Sequence, residues 1–407
     1  MKIIILLSAL AVPLLTGPAC LAHPERQPAQ KAVDSLPPRA AARDITSLRF
    51  SVTEAPEWTD LFRRTSGWFG ADGIFALPLN GADTADASDS LMFVFSDTMI
   101  GDIKEGQLQP GHTMVHNSVA YMKGAVPEKE NIRFYYDHNK KGRPESLFIP
   151  ETRNTKPGDY FWLGDGFVNK ALHNNIYIFG YRMRNMSSDD WSFRQVANTL
   201  IVLPSGSHPP FKQQRQIETP FLTTGPDGQA SLGAGILVNT RNAGMPAPDG
   251  FVYVYGIKGK QKGLIVARVK PADFEDFGRW RFWDGDSWNA DMRNAKTVTS
   301  HVSDELSLSP LPDGRYALVF QVDGMSPVIG LRLGLSPHGP FGPLIKIWKC
   351  PEPEHKNFFV YNAKAHPALS GPGELLISYN VNAFDFFKTL SRTPDLYRPR
   401  FIRVKLR

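Results

Sequence analysis

The 407-residue sequence predicts an all-β fold, a five-bladed β-propeller, on three observations. A strand–turn–strand unit recurs five times along the chain. Turn formers are abundant, with 34 glycines and 33 prolines, and aromatic residues make up 11%, a mixture suited to short strands and tight turns. No stretch keeps a helical hydrophobic period; Pro271–Phe277 offers a single turn.

Residues 1–22 read as a signal peptide: Lys2, an apolar run from Ile3 to Leu15, and a small-residue cleavage site at Cys20-Leu21-Ala22. That run is too short to span a bilayer, and no later segment is long enough either. Gly17-Pro18-Ala19 is a poor lead-in for lipid attachment at Cys20, so cleavage after Ala22 is the favoured reading and the expected location is periplasmic or secreted. Cys350 is then the one cysteine of the mature chain, which has no internal disulfide and, with a large core, needs none. Residues 23–46, rich in Ala, Pro and charge, read as a flexible leader, and residues 47–407 as the propeller domain.

The domain opens with Ser47–Val52, an alternating strand. The five units follow. They pair Asp72–Leu79 with Leu91–Asp97, Gly164–Asn169 with Asn175–Gly180, Gly233–Asn239 with Phe251–Gly256, Asp304–Ser309 with Tyr316–Phe320, and Asn362–Leu369 with Leu375–Asn380. Four-stranded units at such spacing are the mark of a propeller. Phe401–Leu406 alternates apolar and basic residues and is expected to pair with Ser47–Val52, closing the ring and removing exposed sheet edges. Trp280, Trp283 and Trp288 read as outer-strand packing, and Asp249-Gly250 and Asp313-Gly314 as hairpin turns.

The net charge of +6 is scattered. Its two clusters, Lys140–Arg143 and Lys258–Lys262, sit in glycine-punctuated turns, which excludes a nucleic-acid-binding stripe. A phosphate-binding glycine loop, Cys/His zinc spacing and a Gly-x-Ser-x-Gly elbow are all missing from the sequence.

In a propeller the first strands of the blades line the channel in one direction, so residues at their starts converge on one mouth. Asp72, Asp97, Asp165 and Glu305 are therefore the candidate catalytic residues, with Asp304 expected to alternate to the other face. Crowded carboxylates cannot all ionise freely, and a carboxylic acid held neutral beside an ionised one suits glycosidic cleavage. His116, Asn117, Trp162, Asn239, Asn362, Lys364 and His366 are the candidate sugar-binding residues. They supply hydrogen-bond donors and, at Trp162, a stacking face. His366 is also a candidate ligand for an axial cation such as a structural calcium, although the chemistry requires no cofactor. The expected partner is a polysaccharide or oligosaccharide. A non-catalytic carbohydrate-binding propeller is the alternative, in which the acids only hydrogen-bond hydroxyls.

Phe95-Ser96-Asp97-Thr98 with Val115-His116-Asn117-Ser118, Ser336-Pro337-His338-Gly339-Pro340-Phe341, and Tyr361-Asn362-Ala363-Lys364-Ala365-His366-Pro367 resemble a group of secreted bacterial five-bladed propellers. Much of that group has no assigned function, and its relatives include endo-D-arabinanases. The resemblance runs from about Gly70 to Asn382. It implies a glycoside hydrolase acting on a furanose-rich, arabinan-like polysaccharide. It further implies Asp72 as base or nucleophile, Asp165 as modulator of the acid's pKa, and a Glu as acid. The third unit departs from the pattern, since Gly233-Ala234-Gly235 carries no Glu, and Glu305 of the fourth unit is the nearest substitute.

Overall fold

Each of the five predicted strand pairs is an antiparallel hairpin. In the first, Phe75–Pro78 pairs with Ser90–Phe95, Phe75 standing opposite Val94. In the second, Tyr160–Asn169 pairs with Asn175–Asn185. The third joins Gly228–Asn239 to Phe251–Lys258, the fourth Leu306–Pro310 to Tyr316–Gln321, and the fifth Phe358–Ala365 to Glu374–Ala383. These positions come from a computed structural model, which describes residues 43–85, 89–187 and 192–407. The expected signal peptide, Cys20, and the leader as far as residue 42 lie outside the described residues.

Further antiparallel strands extend each hairpin into a sheet of four to six strands, outward except for Leu222–Gly225, which pairs with the inner strand of the third, so the described chain is all-β. The fifth sheet is completed by both ends of the chain. Arg400–Leu406 pairs on one side with Glu374–Ala383 and on the other with Phe50–Glu54, Phe50 lying opposite Leu406. This is the closure expected from the alternating terminal segments. The first strands of the hairpins lie side by side in chain order, and the turn Pro367–Leu369 after the fifth returns to the first. Glycine permits this approach. A Cβ on Gly164 would stand 2.6 Å from the Gly233 carbonyl oxygen, and one on Gly235 would stand 2.7 Å from that of Leu306.

The apolar alternation of the strands fills the spaces between sheets. Phe62, Trp68, Phe93, Phe95 and Phe401 share one buried cluster, and Phe62 stacks on Phe401 at 5.5 Å. Trp280 is fully buried, while Trp283 and Trp288 lie on the two outermost strands of the third sheet, as read from the sequence.

Four features differ from expectation. The fifth inner strand ends at Ala365 because Pro367 has no N–H for a ladder, and Pro367–Leu369 forms a 3₁₀ turn instead. Two helices, Pro56–Leu61 and Phe386–Arg392, are too short to show a period; the first starts with a proline and buries Trp58 and Leu61. A small extra sheet joins Ser66–Ala71, Thr98–Lys104 and Thr113–Val115. The last residues of the expected flexible leader are pinned. Arg43 donates to the Gly314 carbonyl at 2.9 Å, and Arg315 donates to those of Asp44 and Ser47 at 2.6 and 2.9 Å.

Candidate active site

The inner strands are interrupted at matching places. Pairing shifts register between Leu163 and Gly166 in the second sheet, between Leu232 and Gly235 in the third, and between Tyr361 and Lys364 in the fifth. Extra residues at such bulges turn side chains out of the alternating pattern. Asn362, in the last of them, adopts φ +61°, an unusual conformation for a non-glycine residue. In the first sheet the interruption falls between strands. The Asp72 N–H donates to the Asp97 carbonyl at 3.2 Å, and the Ser96 N–H donates to the Asp72 carbonyl at 2.9 Å. Asp72 and Asp97 therefore face each other across one hairpin end, as the sequence predicts.

The redirected residues surround a cavity of about 690 Å³. Among the predicted site residues it gathers Asp72, Asp97, His116, Trp162, Glu305 and Asn362, from four of the five sheets and the segments between them. Asp72 is half-buried. Its Oδ2 accepts a hydrogen bond from the Tyr361 hydroxyl at 2.6 Å, and the Tyr397 hydroxyl also bonds it. Burial first, and then the negative charge of Asp97, raise its carboxyl well above the usual carboxylate range; the two tyrosines oppose that rise. Asp97 spends Oδ1 on His116 Nδ1 at 2.8 Å, and the imidazole stacks on Tyr160 with ring centroids 3.8 Å apart.

Glu305 has a different environment. It is buried, its Oε1 accepts from Asn362 Nδ2 at 2.7 Å, and its Oε2 lies 2.6 Å from Lys364 Nζ. Burial raises its carboxyl and Lys364 pulls it back down. Lys364 itself is buried off the cavity, 4.5 Å from the Phe75 ring centroid. It holds Glu305 and offers no donor to the open space, which corrects its assignment to sugar binding. Asp304 is exposed and pairs with Lys262 at 2.5 Å, yet it lines the same cavity as Glu305; the two precede the strand Leu306–Pro310, so strand alternation does not carry Asp304 to the other face.

Other predicted residues fall outside the cavity lining. Asp165 sits in the second-sheet bulge, where its Oδ1 accepts from its neighbour Gly166 N–H at 2.8 Å and its Oδ2 from Ile236 N–H at 2.7 Å. It joins two sheets, and burial pushes its carboxyl up to about 8 against those two bonds. Asn117 is fully buried; its amide donates to the carbonyls of Phe148 and Phe161 and accepts from Phe148 N–H, leaving little for a ligand. Asn239 is buried at the far end of its strand, beside the hairpin turn where its carbonyl accepts from Gly250 N–H. His366 is buried with Nε2 bonded to Ser378 Oγ at 2.7 Å, and burial, with Lys364 nearby, pushes its imidazole down to about 3. It does not fit an axial cation site. Among the described residues no group of three or more His, Cys, Asp or Glu is placed to hold a metal ion.

The sequence reading missed Tyr361, Tyr397 and Tyr160. Tyr361 precedes the fifth bulge and reads as ordinary strand packing. Only its position beside Asn362, at the start of a predicted inner strand, marks it.

The chain belongs to the family described as "Domain of unknown function (DUF5005)", whose model matches residues 56–406. No curated protein matches the sequence. Among solved structures, a Bacteroides ovatus protein provisionally described as a hydrolase superposes with a TM-score of 0.67 at 19% identity, covering 89% of this chain and 92% of that one. An exo-β-1,3-galactanase from Phanerochaete chrysosporium gives 0.44 at 10% identity, with 87% and 64% coverage. A xylan β-1,4-xylosidase from Bacillus halodurans C-125 gives 0.42 at 11%, with 78% and 50%. The first of these likenesses shows a shared fold. Among the described residues no helix is long and apolar enough to cross a membrane.

Proposed function

We propose that the five sheets are the blades of a five-bladed propeller, and that the protein is a secreted glycoside hydrolase acting on a polysaccharide or oligosaccharide. One observation carries the reading: two carboxyl groups of unlike environment, Asp72 and Glu305, line one cavity. Asp72 faces like charges and has no cationic partner among the described residues, so it keeps its proton, whereas Glu305 has Lys364 to stabilise its ionised form. Such a division supplies the acid and the base of glycosidic hydrolysis. Asp72 then protonates the departing oxygen and Glu305 activates water, the reverse of the roles that the family resemblance implies. His116, Asn362 and Trp162 are placed to hold the sugar. Asp165 acts through the electrostatics and geometry of the ring and does not touch substrate.

The test is a screen of the purified protein against arabinans, galactans, xylans and their oligosaccharides, followed by variants. Asp72→Asn and Glu305→Gln should each lower kcat by about 10²–10⁴-fold, Asp72→Asn with unchanged folding and Glu305→Gln with some loss of stability because Lys364 is left buried without its partner. Full activity in both variants would overturn the assignment. A second reading, carbohydrate binding without cleavage, is favoured by Ala234, which lines the cavity where the resemblance expects the acid. Tight glycan binding with no product from any substrate would select it.

A further inference from the structure

Two aromatic ladders rise from Asp72 to the surface. Tyr361, which donates to Asp72, is followed by Phe359 at 5.5 Å between centroids and then by Phe384 at 5.0 Å. Tyr397, also bonded to Asp72, is followed by Phe386 at 4.8 Å and then by Phe387 at 5.0 Å. Both ladders end in exposed rings, Phe384 at 56% and Phe387 at 51% of full exposure. Met325, 51% exposed, lines the same cavity from the turn between strands Tyr316–Gln321 and Val328–Gly334 of the sheet that follows Glu305. A lone exposed apolar side chain needs no explanation, but three converging on the mouth of one cavity form a patch that suits a ligand.

We infer that Phe384, Phe387 and Met325 form a subsite for an apolar alkyl or aryl group carried by the substrate next to its sugar. This inference rests on the glycoside hydrolase reading and names the substrate class: an amphiphilic glycoside, its sugar over Asp72 and Glu305 and its apolar group against the rim. The geometry fits because the ladders run ring to ring from floor to rim, with Asn382, which donates to the Tyr361 hydroxyl at 3.5 Å, beside the foot of one of them. Phe and Met supply no directed hydrogen bonds, so this end of the cavity selects for apolar surface.

The experiment compares octyl and methyl glycosides of each sugar in a panel of galactose, glucose, xylose and arabinofuranose. The two alkyl groups leave with similar ease, so the ratio of kcat/KM reads the rim. A preference for octyl on the order of a hundredfold is expected, since each buried methylene can contribute up to about fourfold. In Phe384→Ser/Phe387→Ser/Met325→Ser it should fall below about tenfold. Octyl 1-thioglycosides, below their micellar concentration, supply a second reading by calorimetry because sulfur-linked glycosides resist hydrolysis. If no glycoside is cleaved, the hydrolase reading fails, and thioglycoside binding that is lost in the triple variant still supports the subsite. The inference is overturned by equal octyl preference in both proteins, or by absence of thioglycoside binding. It is likewise overturned if the substitutions abolish only binding to phosphatidylcholine vesicles or only self-association, leaving octyl preference intact.

Discussion

Asp72 keeps its proton because burial and Asp97 outweigh the two tyrosine hydroxyls that favour its charged form. The balance can be moved in either direction, which makes it testable. If Asp72 is the acid, activity declines as pH rises through its raised pKa. Tyr361→Phe removes a donor to the carboxylate and should move that alkaline limb upward by about one pH unit. Asp97→Asn removes a like charge and should move it downward by a similar amount. Profiles of kcat/KM against pH decide, and two shifts of the same sign would exclude Asp72 as the titrating group. Asp165 offers a stability test without catalysis. Its folded pKa of about 8 lies above the 3.8 of an ordinary aspartate, so between the two the folded chain holds a proton that the unfolded chain has released. The associated stability is full below 3.8 and lost as pH rises through about 8. Urea unfolding at pH 5 and pH 9 should show Asp165→Asn gaining on the wild type at the higher pH.

At the scale of elements, every hairpin was legible because apolar strands stop at Gly, Asp or Asn and resume after a turn. The bulges were not. An alternation read two residues at a time assumes unbroken pairing, and the extra residues at Gly164-Asp165 and Asn362-Ala363 change which side chain meets the cavity. This is why strand counting sends Asp165 to the channel mouth although it bonds two backbone amides; Asn239 lies at the opposite end of its strand from such a mouth. Asn117 was misread for another reason: the sequence shows an amide but not the segment around Phe148 that uses it. Asn117→Ala leaves two buried carbonyls and one buried N–H without this partner and should destabilise the fold by roughly 2–4 kcal/mol. His116→Ala, its neighbour at the cavity, should change stability by less than about 1 kcal/mol while reducing sugar binding. Thermal unfolding beside glycan titration separates the two.

Across the whole molecule, the site is assembled at the seam where the two ends of the domain meet. Asp72 belongs to the first sheet, and the tyrosine that bonds it lies 289 residues later in the fifth. At a synthesis rate of about 5–20 residues per second, roughly 15–60 s separate the two on the ribosome. During that interval the early hairpins can fold, but Asp72 lacks Tyr361 and Tyr397, and the strand Phe50–Glu54 has no Arg400–Leu406 to pair with. A nascent chain halted before Tyr361 lacks the sheet that helps bury Asp72; because burial is the largest cause of the raised pKa, Asp72 should there be of more ordinary acidity despite losing two opposing hydroxyl donors, beside an unpaired β-edge. The proton-holding power of the site is the last property to be made, and it certifies that the fifth sheet has been completed.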